Sequence, residues 1–264
     1  MSETEAAQLT GSMFLFEKPE LLSADAHGQL GISRPNEPHA FCAKAKAIPI
    51  TVTEIPAAMK DYPVIFMSQE KPIPLAVVAL GDETNLFVDE KGEWEANRYI
   101  PGYIRRYPFG LANETSGDRM AIVIDRAFEG LEPGGNIALF ENGELSDASQ
   151  QAIEFCKTFE RDRKTTDEFG EHLKRFDLIA GQTAQYTPTG STEQQPFAQY
   201  FGVDEKKLNE LTDDQVLELR KMGMLPILYA MVMSMGNWRS LLSRRAVRFG
   251  LSEDQVAAQN PVVN

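Results

Sequence analysis

Apolar residues fall into two regimes along the chain, short runs at strand length first and helical spacing later. Between Ile48 and Phe140 the runs Ile48–Val52, Val64–Met67, Leu75–Leu80, Leu86–Val88, Met120–Ile124 and Asn136–Phe140 are separated by turn formers, which predicts strands. After Gly143 the apolar residues Ile153, Cys156, Phe159, Phe169, Leu173 and Phe176 recur mostly at spacings of three and four. That spacing predicts a helix over about 148–178, opened by an Asp147/Gln150 capping box and with a possible break in the polar stretch Glu160–Asp167.

Gly181–Gln195, rich in Thr, Gln, Gly and Pro, is expected to be a loop. A second capping box, Thr212 with Gln215, opens a helix that Gly223 closes, and a third helix over about 225–248 is entered at Pro226. Asp89-Glu90-Lys91-Gly92 predicts a hairpin turn with Trp94 near the start of its second strand, and Pro101 opens a short helix through Tyr107. The expected fold is therefore α+β. A mixed or antiparallel sheet occupies the N-terminal half and helices the C-terminal half, divided as an irregular arm (1–40), a β-rich region (41–145) and a helical region (146–264). An alternative division joins the two larger regions in one compact domain.

The 264 residues carry 39 acidic against 26 basic side chains, a net charge of -13 that repels nucleic acid and anionic membranes. Two cysteines, Cys42 and Cys156, are too few and too far apart for a disulfide framework or a Cys-x-x-Cys site. Met1–Ser12 has neither a basic start nor an apolar run, so the expected location is the cytoplasm. Met222–Trp238 is uncharged over 17 residues but is interrupted by Gly223, Pro226, Gly236 and Asn237, which favours a core helix over a membrane span.

Candidate chemistry concentrates in one place. Trp94, Tyr103, Arg105, Arg106 and Tyr107 bring aromatic rings and guanidinium groups together in an acidic chain, the materials of a binding site for a small anionic ligand or a peptide. The structural alternative, that Tyr103 and Tyr107 are core residues and the arginines pair with local acids such as Asp89 and Glu95, stays open. Asp89, Glu93 and Glu95 around Trp94 allow a glycosidase-like carboxylate pair, while Glu168 and His172 are one ligand pair short of a metal site. No phosphate loop, dinucleotide fingerprint or nucleophile elbow occurs, so no cofactor and no metal are expected and the catalytic residues are unknown.

Leu86-Phe87-Val88-Asp89, Gly92, Trp94 and then Tyr99-Ile100-Pro101-Gly102-Tyr103-Ile104-Arg105-Arg106-Tyr107-Pro108-Phe109 resemble the signature of the bacterial SapC family. Tyr62–Phe66, Leu139–Glu144 and Gly202–Glu205 are similar to further family positions in the same order. The resemblance implies loci shared with TonB-dependent receptors, halogenase-like flavoproteins and cupin-type hydroxylases, and brings no catalytic residues with it. The reading it favours is a non-catalytic binding or accessory protein. The alternatives are a hydrolase or peptide-modifying enzyme with an aromatic and arginine-lined pocket, and a surface-layer-associated structural protein.

Overall fold

The computed structural model describes residues 13–81, 84–113 and 120–258. The first twelve positions of the expected arm lie outside them. In chain order the elements are β1 (Pro19–Leu21), α1 (Ala24–His27), β2 (Leu30–Ile32), β3 (Ala47–Pro49), α2 (Ile55–Ala58), β4 (Val64–Phe66) and β5 (Pro74–Val77). There follow α3 (Gly102–Arg105), β6 (Phe109–Asn113), β7 (Met120–Asp125), β8 (Leu131–Pro133), β9 (Ile137–Ala138), β10 (Phe140–Glu141) and β11 (Glu144–Leu145). The rest are α4 (Asp147–Arg175), β12 (Ile179–Tyr186), β13 (Gln195–Val203), α5 (Glu205–Asn209), α6 (Asp213–Lys221), α7 (Met224–Ser234), α8 (Asn237–Phe249) and α9 (Glu253–Ala258). The fold is α+β, with antiparallel sheets mostly in the N-terminal half and helices mostly in the C-terminal half.

By their contacts the described residues form two compact units, each assembled from two stretches of chain. The first takes the residues up to Cys42 together with Tyr103–Arg161. Its main sheet has the order β1-β7-β6, and a second has the order β8-β2-β9. β7 is central because Ile122, Val123 and Ile124 are β-branched and can be covered on both sides, and Val123, Ile124 and Asp125 are fully buried. Leu30, Phe109, Ile124, Leu131, Leu139 and Cys156 form one apolar cluster. Gly31 and Gly135 are required where two backbones meet, since a Cβ on Gly31 would lie 2.5 Å from the Gly135 carbonyl oxygen. The stretch 19–32, expected as part of an irregular arm, thus supplies two strands and a helical turn. Its strands are only three residues long, too short to show a period.

The second unit takes Ala43–Gly102 and the residues from Asp162 onward. It holds a five-stranded antiparallel sheet of order β12-β13-β4-β5-β3. β12 takes in the first part of the loop expected over 181–195 and β13 its last residue, leaving 187–194 as the connection between them. Their sequences, Ile-Ala-Gly-Gln-Thr-Ala-Gln-Tyr and Gln-Pro-Phe-Ala-Gln-Tyr-Phe-Gly-Val, are rich in Gly, Ala and Gln, residues with little strand propensity, and their pairing carries an irregularity between Ala184 and Gln185. α7 packs on β4 and β13. Ser234 Oγ accepts the Val64 amide at 2.9 Å and donates to the Met231 carbonyl, while the Asn237 amide donates to the Met59 and Tyr62 carbonyls.

α4 runs unbroken through the polar stretch expected as a break, because most of that stretch is its exposed side. Glu160 and Thr166 are buried, and Thr166 accepts the Val52 amide and donates to the Asp162 carbonyl. The helix starts one residue earlier than its predicted box, since Ser146 caps it by accepting the Ser149 amide. The Thr212/Gln215 box is present as predicted, and Gly223 adopts a left-handed φ of 71° between α6 and α7. The expected 225–248 helix is two helices, broken at Gly236, and the uncharged 222–238 segment buries Leu228, Met231 and Trp238 while leaving Met233 63% exposed. Among the described residues no helix is long and apolar enough to cross a membrane.

Candidate functional site

The segment 103–109 leaves α3 and enters β6, and its side chains go different ways because adjacent residues on a helical turn point about 100° apart. Tyr103 and Arg106 turn inward. The Arg106 guanidinium carbon lies 4.0 Å from the Tyr103 ring centre and 4.7 Å from that of Phe159, with Nη1 3.4 Å from Glu160 Oε1. The two charged side chains are only 4% and 10% exposed. Tyr103 donates its hydroxyl to the Phe14 carbonyl at 2.8 Å, and burial raises its pKa. Arg105 points to solvent with its guanidinium 5.0 Å from the Phe155 ring centre.

Tyr107 faces a third way, into a pocket of about 240 Å³. Its ring stacks on Phe41 at 3.8 Å and 13°, and Phe128 stands edge-on at 5.4 Å. Pro35 and Pro38 close one side, and Glu17, Glu37 and Glu129 form an exposed rim; none of the lining residues is basic. The Tyr107 hydroxyl donates to Asp125 Oδ2 at 3.1 Å. Burial, then the negative charge of Asp125 with its hydrogen bond, then that of Glu17 drive the phenol pKa upward, so the hydroxyl stays protonated. Asp125 is itself held rigidly, because its carboxylate also accepts the amides of Glu17, Lys18 and Ala127 at 2.9, 2.9 and 3.0 Å.

Trp94 belongs to the second unit, where it is 7% exposed and stacks on Phe87. Buried in this way it has no open ring face for a sugar, which removes the basis of the glycosidase-like reading. The hairpin carboxylates are occupied locally as well: Asp89 Oδ1 accepts the amides of Lys91 and Glu93, both at 2.9 Å. The turn is present, but its strands shrink to the single bridge Val88–Trp94. Glu95 is gripped by Arg244 through both of its oxygens and by Arg98 Nε at 2.9 Å, and Arg98 also reaches Asp61 at 3.0 Å. The acid that pairs with Arg106 is Glu160 rather than one from the hairpin.

The Arg244 hydrogen bond, followed by that of Arg98, outweighs burial and holds the Glu95 carboxyl at about 2. With the folded pKa below the unfolded one, the stabilisation is present above the ordinary carboxylate range and is lost as pH falls toward 2. The stability gap between the natural protein and Glu95→Gln should accordingly narrow between about pH 6 and about pH 3, as read from urea titrations. A gap that stays constant over that range would show that the Glu95 network does not act through charge.

Neither cysteine is poised for chemistry. Burial pushes the Cys42 thiol up to about 12 and the Cys156 thiol to about 11, so both are protonated at neutral pH. Among the described residues no three of His, Cys, Asp and Glu are grouped to hold a metal ion.

A model of the SapC family matches residues 22–241. The chain belongs to the SapC family. The match takes in the whole of the 86–109 signature and, Glu17 aside, the residues lining the Tyr107 pocket, while Arg244 of the Glu95 network lies past its end. No curated protein and no solved structure matches the chain significantly.

Of the five residues singled out in the sequence, four lie in the first unit, and only Tyr107 lines the acidic pocket. Phe41, Phe128 and Asp125 were missed. Asp125 did leave a signal, a charged residue closing the apolar run Ile122-Val123-Ile124, since a carboxylate in a buried strand must be satisfied by donors. Phe41 and Phe128 left none, because single aromatic residues in Pro- and Gly-rich segments read like any loop residue.

Proposed function

We propose that this SapC family member is a non-catalytic accessory protein that holds a cationic side chain, lysine or arginine, of a protein or peptide partner over Tyr107. The observation that carries this reading is the pairing of an aromatic floor with three rim carboxylates and no lining cation. Aromatic ring faces attract ammonium and guanidinium groups, and the net charge of -13 draws them from solution. An anionic ligand would meet Glu17, Glu37 and Glu129 at the same entrance, while the arginine expected to greet it, Arg106, is turned inward onto Glu160. The loci that the family resemblance implies, TonB-dependent receptors and peptide modification, would place a basic segment of a partner protein in this role.

Calorimetry with blocked arginine and lysine peptides, and with the neutral citrulline peptide as control, tests the proposal. Cationic peptides should bind and citrulline should not. The triple variant Glu17→Gln/Glu37→Gln/Glu129→Gln should weaken binding about tenfold or more while the melting temperature stays nearly constant, because all three carboxylates are exposed. Equal binding of citrulline and arginine peptides would remove the cationic reading.

A further inference from the structure

The second unit contains a separate cleft of about 270 Å³ in which one wall is polar and the other apolar. Thr165, Glu168, Phe169 and His172 fall at i, i+3, i+4 and i+7 on α4, so they share one helix face. Opposite them the corner between α6 and α7 supplies Met222, Met224 and Ile227, and Val52 and Phe169 lie buried at the base. Gly223 makes that corner, and a Cβ built on it would meet nothing within 4 Å, so the mouth of the cleft is open there.

Glu168 is the only charged residue among those lining the cleft, His172 aside, and neither lysine nor arginine contributes. A ligand with a carboxylate or phosphate would face a like charge with no counter-charge. A metal ion would find two donors, Glu168 and His172, where a closed site uses about four. The walls suit a molecule with an apolar body and one positive end, and two methionines lend the apolar wall adaptability.

We infer that this cleft binds a small free amphiphilic amine. Its aliphatic body lies on Phe169, Met222, Met224 and Ile227, and its ammonium group donates to Glu168 beside His172. The site shares no lining residue with the Tyr107 pocket and does not depend on that reading.

Titration of the full chain with butylamine, hexylamine and octylamine tests this. Affinity should rise about fourfold per added methylene, as expected when each is removed from water. Glu168→Gln should weaken hexylamine binding about tenfold and leave hexanol binding unchanged, and Ile227→Gln should flatten the dependence on chain length. Glu168 is exposed and Ile227 only partly buried, so both variants should fold, which melting curves verify. The Glu17/Glu37/Glu129 triple variant should bind hexylamine as the natural protein does. Affinities that ignore chain length and vanish in salt would reduce the effect to adsorption on an acidic surface and overturn the inference. So would a blocked lysine peptide that binds this cleft as tightly as hexylamine, or hexylamine binding that the triple variant abolishes.

Discussion

Replacing Arg106 by alanine is expected to lower the unfolding free energy by about 3–5 kcal/mol, whereas Arg105→Ala, one residue away, should cost less than about 1 kcal/mol. The difference follows from where the two guanidinium groups lie. Arg106 is enclosed by Tyr103 and Phe159 and shares its burial with Glu160, so truncation takes the positive partner from a carboxylate that has lost its water. Arg105 rests on Phe155 at the surface, where its charge stays hydrated. Urea denaturation of the two single variants reads this directly. A third variant separates the pair from simple packing, since replacing both Arg106 and Glu160 by leucine removes the buried charge and should recover most of the loss. Equal losses from the two arginine variants would mean that the buried pair is not what this segment contributes.

Asp125→Ala is expected to be at least as damaging, costing about 3 kcal/mol or more, because one side chain satisfies four donors. Two of those donors, the amides of Glu17 and Lys18, tie the strand that follows them to the central strand of the sheet. The variant should therefore show faster cleavage by protease before Pro19 as well as a lower melting temperature. It should also release Tyr107, whose phenol pKa should fall once its carboxylate neighbour is gone, visible in an ultraviolet pH titration. An unchanged tyrosine titration together with full stability would show that Asp125 does not organise the pocket.

Long-period and well-punctuated elements could be read from the sequence. α6 declared both of its ends through Thr212, Gln215 and Gly223, and α4 showed its buried face in Ile153, Cys156, Phe159 and Phe169. Among the short strands β4 and β9 fell within expected apolar runs, whereas β1, β2 and β8, three residues each, are shorter than the period needed to see them. β12 and β13 hid in residues of low strand propensity, where neighbouring strands decide the conformation instead. The family signature drew attention to the right segment, but a linear motif does not say which side of a turn each residue faces. Tyr103, Arg106 and Tyr107 look equivalent as letters, and only the turn separates the two that pack from the one that lines a pocket.

The interleaving of the two units has a consequence for biosynthesis. β1 finds its partner β7 more than a hundred residues downstream, the Glu17 amide and Asp125 being 108 positions apart, so the first unit cannot close until the ribosome has passed that point. β4 waits longer still, because β13 beside it pairs Phe201 with Phe66. A nascent chain therefore carries β4 and β5 with one sheet edge unpaired while the intervening residues are made, a state in which exposed strand edges invite association with other chains. The five-stranded sheet cannot be completed before Phe201 is made, and slowing translation within 67–194 would prolong the vulnerable state instead of helping the chain to fold.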